Sequence, residues 1–179
     1  MQQLNQHHLV DSDPVIVCGA DDKFAMPLAI TLYSALCNIS DRCNKIRIFV
    51  LDGGISSLNK TRINRAITGT GRKIEMNWIQ FDLNSLNNVQ QTHYISKATY
   101  LRILIPKLLP DTCEKAIYLD CDMVVEGDLF EIWNTPLNGS LAGGVQDYCY
   151  PYMDSPGALA LDTLQDVKKR SVFCNAGFM

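Results

Sequence analysis

The chain has 179 residues, of which 47% are hydrophobic and 20% are charged, and its mean hydropathy is −0.01. This is the composition of a globular domain, and it excludes a disordered, collagen-like or coiled-coil protein. The 16 Lys and Arg against 19 Asp and Glu give a net charge of −3, so the bulk charge favours neither nucleic acid nor an anionic membrane surface. A ligand that carries phosphate would therefore need a local source of positive charge.

The sequence shows neither a transmembrane segment nor a signal peptide, which predicts a cytoplasmic protein. No stretch approaches the ~20 apolar residues of a transmembrane segment, and residues 1–13 form a polar arm without the basic and apolar regions of a signal peptide. The 7 cysteines are an odd number without a Cys-x-x-Cys pair, which predicts reduced thiols. The three histidines, His7, His8 and His93, lie in polar stretches and are not expected to be catalytic. No repeat or linker divides residues 14–179, so we expect one domain there.

Apolar periodicity predicts an alternation of strands and helices along the chain. Pro14 to Cys18 reads PVIVC, a continuous apolar run that is typical of a strand buried on both faces. The elements predicted after it are a helix over 25–38, a strand over 46–51, a helix from Ser56 or Ser57 to Thr68, a strand over 74–81, a helix over 97–105 that Ser96 caps and Pro106 ends, a strand over 116–119, a short helix over 129–133, a strand over 141–145 and a further strand beginning in 173–179. This order predicts a three-layer α/β/α domain with a mostly parallel sheet.

Two acidic clusters follow predicted strands. Asp21 and Asp22 come after the first strand, and Asp120 and Asp122 come after the strand over 116–119. Because ligands bind beyond the carboxyl ends of the strands in an open α/β sheet, we expect both clusters to face one crevice. Where a strand breaks into a turn, carboxylates two residues apart can reach the same hard cation, which would bridge an acidic protein to a diphosphate. The alternative is that these residues only terminate strands and form turns.

The run AIYLDCDMV at 116–124 leaves a second enzyme class open. An apolar strand followed by Asp-x-Asp-x-Val also fits a haloacid dehalogenase-type phosphotransferase with Asp120 as the nucleophile. That motif normally opens its domain, whereas three strand–helix units are predicted before it here. Cys121 lies between the two carboxylates, but a cation that prefers oxygen would not select a thiolate.

Five sequence blocks in this order resemble glycosyltransferase family 8, which includes bacterial lipopolysaccharide galactosyl- and glucosyltransferases and, more distantly, glycogenin. The blocks are VCGADDKFAMPLAITLYSAL at 17–36, LDGGIS at 51–56, ISKATYLRILIPKLLP at 95–110, KAIYLDCDMVVEGDLFEIW at 115–133 and CNAGFM at 174–179. The resemblance implies a fold of the nucleotide-diphospho-sugar transferase (GT-A) type. It also implies a retaining enzyme that transfers a hexose from a UDP-hexose to a saccharide or lipopolysaccharide-type acceptor, using Mn²⁺ or Mg²⁺.

The resemblance assigns roles to particular residues of this chain. Asp120 and Asp122 bind the cation, and Asp120 also lies near the ribose or sugar hydroxyls. Lys23 and Phe24 stand where relatives often have asparagine and tyrosine, and Phe24 can still stack on the base. The uracil and ribose are held by Gly19, Ala20, Asp21, Lys23 and Phe24. The donor sugar is contacted by the candidate catalytic residues Arg102, Asp147 and Asn175, of which Arg102 could instead pair with a nearby acidic residue.

One departure from the family pattern concerns the end of the chain. Family members usually continue past Asn-Ala-Gly to a His-x-x-Gly-x-x-Lys-Pro-Trp motif, whose histidine completes the metal site and whose lysine holds the diphosphate. The sequence ends at Met179 without it. We therefore expect a truncated chain with weakened metal and donor binding, and a catalytically inactive UDP-binding fragment is the alternative to an active enzyme.

Overall fold

The computed structural model describes residues 13–80, 97–156 and 171–179. The chain divides into two compact units, Met1–Thr135 and Pro136–Met179, and the single domain expected over 14–179 stays a prediction. Within the described ranges, no helix has the length and apolar character needed to cross a membrane. Ser96 and the three histidines lie outside the described residues.

The unit Met1–Thr135 is built on a parallel sheet of four strands. These are β1 (Val15–Ala20), β2 (Ile46–Asp52), β3 (Ile74–Gln80) and β4 (Ile117–Tyr118), in the spatial order β3-β2-β1-β4. β1 pairs in parallel with both β2 and β4. Its consecutive residues from Val15 to Cys18 are all fully buried, as expected for a strand that is covered on both faces.

Helices flank this sheet. They are α1 (Ala25–Asn38), α2 (Ser57–Thr68), α3 (Ile105–Leu108) and α4 (Leu129–Trp133), and α1 packs against α2. Right-handed crossovers from β1 to β2 and from β2 to β3 place α1 and α2 on one face of the sheet. β4 is added on the far side of β1, so the same rule places the 3-10 helix Lys97–Leu104, which contacts β1, on the other face. The predicted α/β class is therefore confirmed.

Local sequence signals locate most of these elements. The helices predicted over 25–38 and 129–133 have those bounds, and α2 begins directly after its N-cap Ser56, whose hydroxyl accepts a hydrogen bond from Asn59 N. The helix predicted over 97–105 is wrong in detail. It is a 3-10 helix followed by α3, and Pro106 lies in the first turn of α3, where a missing N–H has no helical partner to lose.

Strands were expected over 141–145 and from 173, and the structure contains neither. In the described residues of the unit Pro136–Met179, isolated antiparallel bridges join Gln146 to Cys174 and Tyr152 to Val172. Leu141 and Val145 are exposed. An apolar run becomes a strand only where a continuous backbone partner is available, and these residues have partners at isolated positions only.

Polar side chains of α1 hold the segment that follows β4. The Thr31 hydroxyl donates to Met123 O (2.8 Å) and accepts from Met123 N (2.9 Å). Further along the same helix face, Ser34 Oγ accepts from Val125 N (3.0 Å), and Asn38 Nδ2 donates to Val125 O (2.8 Å). These side chains act in place of a neighbouring strand and fix the chain just after Asp120 and Asp122.

Thr31→Val is expected to lower the free energy of unfolding by about 2 to 4 kcal/mol, because the N–H and C=O of Met123 both lose their partner at a fully buried side chain. Urea denaturation followed by circular dichroism measures this. The matched control is Thr61→Val, since the Thr61 hydroxyl donates to Ser57 O on the exposed surface of α2 and has no other hydrogen bond within residues 13–80, 97–156 and 171–179. Equal losses in the two variants would contradict the anchoring role of Thr31.

Candidate active site

The candidate site lies at the point where the order of strands in the sheet reverses. From β1 the chain continues to β2 on one side, whereas β4 lies on the other side of β1. Such a switch point leaves a crevice at the carboxyl ends of the two adjacent strands, where ligands of open α/β sheets bind. β1 is followed directly by Asp21-Asp22, and β4 is followed after Leu119 by Asp120-Cys121-Asp122. The fold therefore brings both acidic clusters to the same edge of the sheet, as the sequence predicted.

The first cluster is engaged in local structure. Asp21 Oδ1 accepts hydrogen bonds from Lys23 N (2.9 Å) and Phe24 N (3.3 Å), which caps the 3-10 turn Asp22–Phe24. Asp22 Oδ1 accepts from Ser56 N (2.8 Å) and Asn59 Nδ2 (2.8 Å) at the start of α2. These bonds, led by the one from the Ser56 backbone, lower the pKa of Asp22. Asp21 thus caps a turn, whereas Asp22 connects this turn to the start of α2.

The second cluster contains a connected group of polar side chains. Asp120 Oδ1 accepts a hydrogen bond from the Tyr118 hydroxyl (2.7 Å) and pairs with Arg102 Nη2 (2.9 Å). The Arg102 guanidinium lies 4.8 Å from the centre of the Tyr118 ring, a cation–π distance. The Arg102 side chain is 11% exposed and that of Asp120 is 32% exposed, so the carboxylate remains open to a ligand. Asp122, two residues further, is exposed.

Two thiols lie among these carboxylates. Burial raises the pKa of Cys121 to about 12, and the negative charges of Asp122, Asp120 and Asp21 act in the same direction. Burial likewise raises the pKa of Cys18, and electrostatic interactions with Cys121 and Asp120 raise it further. Cys121 therefore stays a protonated thiol at neutral pH. All seven cysteines of the chain are free thiols.

The residues assigned to the nucleotide follow one another along the end of β1. Gly19 and Ala20 are its last two residues, and the Ala20 carbonyl accepts from Gly53 N (2.9 Å) beyond the end of β2. Lys23 is exposed, and Phe24 is 43% exposed. An aromatic ring that is open to solvent at the switch point has the accessible face that stacking on a base requires.

The two remaining candidates lie in the unit Pro136–Met179. Asn175 Nδ2 donates to Asp147 Oδ2 (3.1 Å), although the two residues are 28 apart in sequence. Asp147 Oδ1 accepts from the N–H groups of Cys149 (2.9 Å) and Tyr150 (2.8 Å), so the carboxylate organises its own turn. The structure thus brings together the two sugar-pocket candidates of this unit.

Sequence reasoning missed Tyr118. The local signal for this residue is its position at the end of β4, two residues before Asp120. No cluster of three or more Asp, Glu, His or Cys side chains suited to a metal ion occurs in the described part of the chain. Asp120 and Asp122 are therefore a pair of possible ligands that would need further oxygen donors.

A family model and several curated proteins match this chain. The family model described as glycosyl transferase family 8 matches residues 15–179. General stress protein A of Bacillus subtilis is 33% identical over 133 residues, which cover 74% of this chain and 46% of the relative. A putative glycosyltransferase of Haemophilus influenzae is 30% identical over 133 residues, which cover 74% of this chain and 38% of the relative. The chain thus spans less than half the length of these two relatives.

A solved structure resembles the fold. The galactosyltransferase LgtC, crystallised with donor and acceptor sugar analogues, superposes with a TM-score of 0.76 at 27% identity. The match covers 92% of this chain and 56% of LgtC. It extends over both described units, each of which contains candidate site residues.

Proposed function

Since the chain belongs to glycosyltransferase family 8, we propose that it supplies the donor site of a retaining enzyme that transfers a hexose from a UDP-hexose to a saccharide acceptor. The observation that carries this proposal is the Asp120 carboxylate at the strand-order switch point, held by Tyr118 and Arg102. The similarity to LgtC, whose structure contains donor and acceptor sugar analogues, supports the proposal of a sugar donor and a sugar acceptor. A lipopolysaccharide-type acceptor is proposed on the family resemblance.

The carboxylate oxygens of Asp120 and Asp122 are suited to bind a divalent cation. Tyr118 and Arg102 both contact Oδ1 of Asp120, and among the described residues no hydrogen bond to Oδ2 competes with a ligand. Asp122 adds an exposed carboxylate. Mg²⁺ is commonly bound by one or two carboxylates together with substrate phosphates and water, and carboxylates also suit Mn²⁺. When bound, such a cation supplies Lewis-acid stabilisation of the charge on the departing UDP.

Other residues of the chain are assigned to the uracil, the sugar and the nucleotide. Phe24 offers its ring to the uracil, and Asp21 orders the turn that carries this ring. Arg102 is a charged donor near Asp120 that can contact a sugar hydroxyl. Asp147 and Asn175 are assigned to the sugar pocket on the family resemblance. Lys23 is assigned to the nucleotide on the same ground.

The phosphotransferase alternative has less support. It needs Asp120 as a nucleophile in a motif that opens its domain, whereas β1, β2 and β3 all precede β4 in the chain. The match to a glycosyltransferase family over residues 15–179 also argues against it. Binding of beryllium fluoride with Mg²⁺, in the absence of UDP, would support the phosphotransferase alternative.

Isothermal titration calorimetry of UDP with the chain, with and without Mn²⁺, tests the proposal. We expect Mn²⁺ to tighten UDP binding at least 10-fold, while ADP under the same conditions binds more weakly. Incubation with UDP-galactose or UDP-glucose then tests for release of UDP and for retention at the anomeric carbon. Metal-dependent binding without turnover would favour the inactive-fragment alternative. Absence of UDP binding by a chain that circular dichroism shows to be folded would overturn the proposed function.

A further inference from the structure

Tyr118 places a hydroxyl in the interior beside the candidate ligand Asp120. The residue is 4% exposed, and it is the last residue of β4. A buried hydroxyl is costly unless it forms a hydrogen bond, and this one donates to Asp120 Oδ1 at 2.7 Å. Phenylalanine would fill the same space at this position without that cost. The hydroxyl therefore has to be explained by what it does to the carboxylate.

The Tyr118 side chain contacts both Asp120 and Arg102. Its hydroxyl holds Asp120, and its ring lies beneath the Arg102 guanidinium at 4.8 Å. Arg102 in turn reaches the same oxygen of Asp120 at 2.9 Å. Two donors on Oδ1 restrict rotation of the carboxylate and leave Oδ2 as the oxygen that a cation can approach. One buried side chain thus orients the carboxylate and supports the arginine.

We propose that Tyr118 is a positioning residue for the cation site, which presents Oδ2 of Asp120 to a divalent cation while its ring supports Arg102. This inference rests on the proposed function, because it assumes that Asp120 binds the cation. Groups that orient a metal-binding carboxylate typically change the metal affinity by about 10- to 100-fold when they are removed. The role of Tyr118 is distinct from core packing, since it depends on a single oxygen atom.

Tyr118→Phe removes that oxygen and keeps the ring in place. We expect Mn²⁺ affinity, measured by electron paramagnetic resonance of free Mn²⁺ at saturating UDP, to fall by about 10-fold or more. UDP affinity without metal and the thermal unfolding midpoint are expected to stay close to those of the wild type. A purely structural role would shift the unfolding midpoint and leave the Mn²⁺ affinity of the folded chain unchanged.

The matched control is Tyr33→Phe. Tyr33 lies on α1 with its side chain partly exposed and beside Cys37, on a different element from the acidic pair. This variant is expected to bind Mn²⁺ as the wild type does. Equal Mn²⁺ affinity of Tyr118→Phe and Tyr33→Phe would overturn the inference about Tyr118.

A measurement on the unsubstituted chain keeps the inference testable if Tyr118→Phe does not fold. With ¹³C-labelled tyrosine, addition of Mn²⁺ and UDP is expected to broaden the ring signals of Tyr118 selectively by paramagnetic relaxation. The signals of Tyr33 serve as the reference. Unbroadened Tyr118 signals at saturating Mn²⁺ and UDP would contradict the inference. If the wild type binds neither UDP nor Mn²⁺, the proposed function fails, whereas normal wild-type binding together with an unaffected Tyr118→Phe variant removes only this inference.

Discussion

Replacing Asp122 with asparagine is expected to abolish the Mn²⁺-dependent part of UDP binding, so that the UDP affinity measured with Mn²⁺ falls by about 10-fold or more, to the value without metal. The amide keeps the shape of the side chain but removes the negative charge that a hard cation needs. Asp122 is exposed, and no hydrogen bond or ion pair of its side chain occurs among the described residues. Its substitution should therefore leave the free energy of unfolding within about 0.5 kcal/mol of the wild type. Calorimetry of UDP with and without Mn²⁺ measures the effect.

Asp122 is a cleaner test of the cation site than Asp120. Asp120→Asn would also remove the ion pair between Asp120 and the largely buried Arg102, so that loss of binding and loss of stability would be mixed. Asp111→Asn is the matched control, because Asp111 is an exposed aspartate in the turn after α3. If Asp122→Asn and Asp111→Asn bind UDP with the same Mn²⁺ dependence, Asp122 is not a metal ligand.

The largest effect on stability is expected at Asp52, the last residue of β2. Its side chain is 2% exposed and pairs with Lys60 Nζ through Oδ2, while Oδ1 accepts from Gly54 N (2.9 Å) and Ile55 N (2.6 Å). Asp52→Ala leaves these donors without their partner and is expected to lower the free energy of unfolding by about 3 to 5 kcal/mol. Urea denaturation at pH 7 measures the loss. Asp41→Ala, which removes a 96% exposed partner of Arg72, should cost less than about 1 kcal/mol.

The contribution of Asp52 should also depend on pH. Burial by itself raises the pKa of Asp52, but hydrogen bonds from Lys60 and from the N–H groups of Ile55 and Gly54 outweigh it, and the pKa is lowered. A lowered pKa in the folded state means that the stabilisation is complete above the unfolded value of about 3.9 and is lost as the pH falls through the folded value. The difference in stability between the wild type and Asp52→Asn should therefore shrink below about pH 4. A difference that stays constant from pH 7 to pH 3 would contradict the lowered pKa.

The sequence by itself determined the alternation of strands and helices from β1 to α4 and the identity of most candidate site residues. The bounds of α1 and α4, and the start of α2 after Ser56, follow from apolar spacing and capping residues within about a dozen positions, so local interactions suffice to specify them. The carboxylates at the ends of β1 and β4 are visible for the same reason. Family membership could likewise be recognised from ordered motifs, which are a property of the sequence alone.

Only the tertiary structure decided which of these residues meet. The order β3-β2-β1-β4 places the turn after Tyr118 beside the end of β1, and the choice of a neighbouring strand depends on contacts between residues about 100 positions apart. The same long-range packing directs Asp22 to the start of α2 and joins Arg102 to Asp120. It also explains why the apolar run over 141–145 does not form a strand and only precedes the isolated bridge at Gln146. Backbone and charged groups form the pairs that the completed fold brings within hydrogen-bonding distance, and no local pattern encodes that choice.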